Sequence, residues 1–112
     1  MQEALILHRS HAQNAARDSV EKLWDAFERM KTYYTDLDKK RSSEKIVTDM
    51  AGGSDDFYRL FNEEFKWLRD AGNKYRIRHH ETDKINITDV RYYDYFFNRC
   101  LSLIALAVQY LR

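Results

Sequence analysis

A chain of 112 residues with a formal net charge of +1 has room for one packed domain and is too nearly neutral to be a polycation that coats nucleic acid or membrane. Eight Tyr, six Phe and two Trp supply enough apolar area to exclude intrinsic disorder, although 33% of the residues are charged. Proline is absent and glycine occurs only at Gly52, Gly53 and Gly72, so the turn punctuation of an all-β protein is missing. The expected class is all-α: an antiparallel helical bundle of about four helices in a single domain, residues 1–112.

The first predicted helix runs from about Gln2 to Leu37. Ala16, Val20, Leu23, Phe27, Met30, Tyr34 and Leu37 recur at spacings of four and three, the seam of a helix packed at a shallow angle against its neighbours. Its first turns, with His8, Arg9 and His11, project beyond the core in this reading. After the polar run Asp36 to Arg41, Ser42 or Ser43 caps a short second helix that ends near Met50, with Gly52-Gly53 as the stop. Ser54 reads as the N-cap of the third helix, and Asp55 and Asp56 suit its positive end. This helix carries Phe57, Leu60, Phe61, Phe65 and Leu68 toward Tyr75 and beyond, with Gly72 on its inner side.

Glu81 to Thr88 is the main connection, in which Ile85-Asn86-Ile87 packs as a short extended piece over the core. Thr88 or Asp89 caps the last helix, where Tyr93, Phe97, Cys100, Ile104, Ala107 and Leu111 form one stripe and Tyr92, Phe96, Leu103 and Tyr110 widen it. So apolar a helix needs two neighbours, which predicts a homodimer through the last helix or a partner domain that covers it. The first and last helices are expected to be the longest, with Leu23, Phe27, Phe61, Leu68, Phe97 and Ile104 in one core. The lone Cys100 lies within the apolar pattern, as expected of a buried thiol in a reducing, cytoplasmic protein. The ALIL segment and the stretch from Leu101 to Leu111 are too short for a signal peptide or a membrane span, so no membrane partner is expected. A chain that starts inside a helix pattern and ends without a C-cap signal is expected to be cut from a longer protein.

Chemistry concentrates between Leu68 and Lys84, LRDAGNKYRIRHHETDK. Arg69, Asn73, Lys74, Arg76, Arg78, His79, His80 and Lys84 face only Asp70, Glu81 and Asp83 there. If the third helix continues through this stretch, Arg69, Asn73, Arg76 and His80 fall on one side of it. His79 turns toward the apolar stripe and reads as structural, whereas His80 turns toward Arg76. Arg forks match phosphate oxygens, and a neutral imidazole accepts a proton near neutral pH, so the ridge suits an RNA backbone. The alternative is a solvated cap, cations at the negative end of a helix dipole. His79-His80 lacks the HExxH or CxxC spacing of a metal site, and neither a Gly-rich phosphate loop nor another cofactor motif is present, so no metal and no cofactor is expected.

The order of elements is a long first helix carrying DSVEKLWDAFERMKTYY, a short second, a third ending in GNKYRIRHHETDK, and a last helix DYFFNRCLSLIALAVQYL. From about Ala15 on, this order resembles the HEPN superfamily of small α-helical domains found in prokaryotic abortive-infection and toxin proteins. The resemblance implies a dimeric, metal-independent ribonuclease whose signature is Arg, a polar residue, four to six residues, then His. Arg69-Asp70 begins that signature, but His79 and His80 lie too far on, and Arg76 is too close to His80. What carries over is therefore a cluster with no single pair assigned: Arg76, Arg78, His79 and His80 as the catalytic set, and Arg69, Asn73, Lys74 and Lys84 as RNA contacts. Superfamily members without the motif act as binding or dimerisation modules, and a non-catalytic interaction module is the second expectation here.

Overall fold

The computed structural model describes the backbone of residues 2–75, 77 and 84–112, and the side chains of those from residue 14 on. Its elements are α1 Gln2–Met30, α2 Lys39–Ala51, α3 Asp55–Lys74 and α4 Val90–Ala107, followed by a 3₁₀ turn, Val108–Tyr110. Among the described residues there is no strand, and one isolated bridge pairs Tyr75 with Ile85. The all-α bundle of four helices is therefore the fold. No helix is long and apolar enough to cross a membrane among the described residues.

The two boundaries that flank the α1–α2 loop differ from expectation, each for a local reason. α1 ends at Met30 instead of Leu37, because the Thr32 hydroxyl donates to the Arg29 carbonyl at 2.7 Å and the Tyr33 N–H turns back to the Met30 carbonyl at 3.0 Å. α2 begins earlier than Ser42, since Asp38 is its N-cap and accepts from the Arg41 N–H at 2.8 Å. Ser42 instead lies fully buried inside α2, where its Oγ accepts the Tyr34 N–H at 3.1 Å and pins the α1–α2 loop. α2 stops where expected, at Gly52, whose φ of 59° is the left-handed conformation that glycine adopts without strain. Ser54 caps α3 as expected, accepting from the Phe57 N–H at 3.2 Å. The last helix gives way to the 3₁₀ turn after Ala107, so α3, at 20 residues, exceeds α4, at 18, and the expectation that the first and last helices are longest does not hold.

Burial of the apolar faces drives the assembly. Phe27 meets Phe65 edge-on at 5.5 Å, and the buried Trp24 donates its Nε1–H to the Leu68 carbonyl at 2.7 Å, so α1 and α3 run antiparallel. Trp67 stacks on Phe96 at 6.1 Å, and Arg99 forks onto Glu64 with its Nη2 at 2.7 Å and its Nε at 3.3 Å, so α3 and α4 are antiparallel as well. The Arg99 guanidinium lies 3.4 Å from the centre of the Trp67 ring and completes this seam. Of the expected core, Phe27 and Leu68 are buried, whereas Leu23, Phe61, Phe97 and Ile104 are half-buried at its edge. Phe61 stacks on Phe57 at 6.0 Å, and Phe57 is itself 56% exposed.

The last helix is better covered than its apolar width implies. Phe96 and Leu103 are buried within the chain, Phe96 by Trp24, Trp67 and Tyr75, and of the widening residues only Tyr92 and Tyr110 are exposed. Ile87 is buried over the core as expected, while Ile85, in the same short piece, is exposed.

Candidate nucleic-acid interface

The ridge expected along one continuous helix is interrupted. α3 ends at Lys74, and Tyr75 is extended, with φ −100° and ψ 132°. The reason is tertiary: Ile77 is completely buried, the Ile85 N–H takes the Lys74 carbonyl at 2.9 Å, and the Ile77 N–H turns back on the Tyr75 carbonyl. The chain leaves the helix before the buried Ile77, so the helical face that carries Arg69 and Asn73 ends at Lys74. Arg76, Arg78, His79 and His80, with the core-facing role expected of His79, lie outside the described residues, as do the side chains of His8 and His11.

Arg69 and Asn73, four residues apart on α3, stay together and line a cleft of about 560 Å³ between the end of α1, the start of α2 and the middle of α3. Its cations are Lys31, Lys39, Lys40, Lys66 and Arg69, its carboxylates Glu28 and Glu44, and Ser43, Asn62 and Asn73 add neutral hydrogen-bonding groups. Phe65 lines it from the core side. Four of the five cations come from segments outside the stretch Leu68 to Lys84. Lys39 and Lys40 belong to the first turn of α2, where the positive end of the helix dipole adds to their charge. Lys74 and Lys84, expected as RNA contacts, are not in the cleft: the Lys74 ammonium sits 5.6 Å from the Tyr75 ring, and Lys84 is half-buried beyond the bridge.

One carboxylate organises the floor. Glu28 Oε2 accepts from Lys31 Nζ at 2.9 Å and from Lys39 Nζ at 2.7 Å. Lys31, 5% exposed, also sits 4.6 Å above the Phe27 ring. Burial pushes the Glu28 carboxyl up, but the hydrogen bonds from Lys39 and Lys31 outweigh it, and the group is held below the usual carboxylate range. Burial pushes the Lys31 ammonium down, and Glu28 only partly offsets this. Arg69 pairs with Asp70 at 3.1 Å on the exposed side of α3, a contact too solvated to hold the guanidinium against a competing phosphate.

Sequence reasoning reached Arg69 and Asn73 but missed Lys31, Lys39, Lys40 and Lys66. The adjacent pair Lys39-Lys40 and the Glu28-Lys31 spacing of three were legible. What was not legible is that α2 folds back beside α3 and brings them to one opening. Among the described residues no group of three or more His, Cys, Asp or Glu is placed to hold a metal ion. Compared with protein-family models, with curated proteins and with solved structures, the chain matches none.

Proposed function

We propose that this protein is an HEPN-type helical domain, cytoplasmic, that binds RNA through the cleft between α1, α2 and α3 and belongs to a phage-defence or toxin-type system. One observation carries the binding reading: five cations, two on α2, two on α3 and Lys31 in the turn after α1, line one opening against two carboxylates, on a chain whose net charge is only +1. Local concentration of positive charge on a neutral protein is the footprint of phosphate recognition, because phosphate contacts with Lys and Arg dominate affinity for nucleic acid. Asn62, Asn73 and Ser43 supply donors and acceptors for sugar hydroxyls or base edges. The family reading rests on the order and lengths of the helices.

In the nuclease form of this proposal, the chemistry falls to Arg76, Arg78, His79 and His80, which follow α3 in the sequence. One imidazole removes the proton of a ribose 2′-hydroxyl, that oxygen attacks the adjacent phosphorus, and the 5′-oxygen leaves with a proton from a second acid. The products are a 2′,3′-cyclic phosphate and a 5′-hydroxyl, and the Arg side chains hold the charge that builds on the phosphate. A homodimer through α4, or a fused domain in the same place, accounts for the exposed Tyr92, Tyr95 and Leu101 on that helix.

The test separates binding from cleavage. Arg69→Glu and Lys66→Glu should each weaken binding of single-stranded RNA by about tenfold or more without loss of helical content. His80→Ala and Arg76→Ala should lower cleavage in chelator by about tenfold to a hundredfold and leave binding intact. RNA binding with no cleavage would reduce the proposal to its binding form. Absence of both, together with self-association in sedimentation, would leave the interaction module.

A further inference from the structure

The two lysines on Glu28 are not equivalent. The Lys31 side chain is 6% exposed, and withdrawal of its counter-ion would leave a buried charge without compensation. The Lys39 side chain is 55% exposed, stands on the first turn of α2 and reaches across to α1 on a flexible stem. Of the cations in the cleft, Lys39 is therefore held by a carboxylate it is free to leave. We infer that Glu28 is the specificity-determining residue of the cleft, restricting it to chains of phosphodiesters and rejecting lone phosphate ions by competing for Lys39. The inference rests on the RNA reading of the cleft.

A single phosphate that enters must take Lys39 from a carboxylate already in contact, and it meets the negative charge of Glu28 and of Glu44 as it does so. Its few contacts do not offset that repulsion in water. A strand engages Lys40, Lys66 and Arg69 with neighbouring phosphates first. The phosphate beside Lys39 then competes as part of a bound chain, at an effective concentration far above that of a free ion. Each further phosphate neutralised adds its own counter-ion release. Glu28 thus lowers affinity for every anion but lowers it most for those that arrive alone.

The experiment measures anisotropy of a short labelled single-stranded RNA, and calorimetry of inorganic phosphate, on the whole chain. Glu28→Gln, neutral and of the same shape, should tighten RNA binding at least about fivefold and bring in measurable binding of phosphate, while the unaltered protein should show none. Lys39→Met should cost about twofold in the native background and about tenfold in the Glu28→Gln background, because the lysine is released for the ligand only there. Equal costs in the two backgrounds, or RNA affinity unchanged or weakened by Glu28→Gln in a folded protein, would overturn the inference while the RNA reading stands. RNA binding absent from every variant would overturn both. Should Glu28→Gln fail to fold, the native protein still answers. In side-chain ammonium spectra, saturating RNA should shift the Lys39 resonance and leave that of Lys31 in place, and an unmoved Lys39 at saturation would end the proposal.

Discussion

Trp24 does more for the fold than its place in the sequence pattern suggests. The four-and-three seam picks out Val20, Leu23 and Phe27, yet Leu23 is only half-buried, whereas Trp24 is fully enclosed and bonded to the Leu68 carbonyl. An indole at the edge of the stripe is drawn in because its N–H finds a backbone acceptor on α3, a partner no helical wheel reveals. Trp24→Phe keeps most of the apolar area and should cost about 1 kcal/mol for the lost hydrogen bond, whereas Trp24→Ala should cost about 3–5 kcal/mol, both read from urea unfolding. Phe61→Ala should fall below that range, since Phe61 is half-buried. The expectation for Cys100, by contrast, was simple to read from an apolar stripe, and it is buried. Burial pushes its thiol up to about 12, so thiolate is negligible at neutral pH. A disulfide-exchange reagent should leave Cys100 untouched in the native state and titrate one thiol after denaturation.

At the scale of elements, caps written in the sequence were found where their side chains serve only local bonds, as at Ser54 and Asp89. They were misplaced where a tertiary partner claims the residue. Ser42 looks like an N-cap but belongs to Tyr34, and Asp38, four residues earlier, takes the role. The same contest ends α3: helical periodicity runs through Tyr75, but burial of Ile77 and the Tyr75–Ile85 bridge outweigh it. Ser54→Ala should cost about 0.5–2 kcal/mol, the usual effect of a lost N-cap. The tie between α1 and α2 should register in acid. Because Glu28 is held below its ordinary value of 4.5, the unfolded chain binds that proton more tightly than the folded one. The stabilisation from this carboxylate is complete above pH 4.5 and drains away as pH falls through the lower, folded value. Lys31 acts in the other direction at the alkaline end: burial holds it below 10.5, so its contribution improves as pH rises toward that value. Urea midpoints of the native protein and of Glu28→Gln should therefore differ at neutral pH and converge in strong acid.

For the whole molecule, class and helix count were legible because they depend on composition and periodicity, and neither needs knowledge of what touches what. The cleft was half legible. Lys66, Arg69 and Asn73 share α3 at spacings of three and four, but Lys31, Lys39 and Lys40 reach them only through tertiary packing, set by Phe27 on Phe65 and by the loop that Ser42 secures. The central claim is that this charge meets phosphates, and salt dependence tests it most directly. Affinity of the native protein for single-stranded RNA should fall as salt rises, with a log–log slope of about −0.7 for each phosphate engaged. Three to five contacts give a slope of roughly −2 to −3.5, and Arg69→Glu should make it shallower by about one contact. Binding that ignores salt, or a slope unchanged by that substitution, would contradict a phosphate-binding cleft at this site.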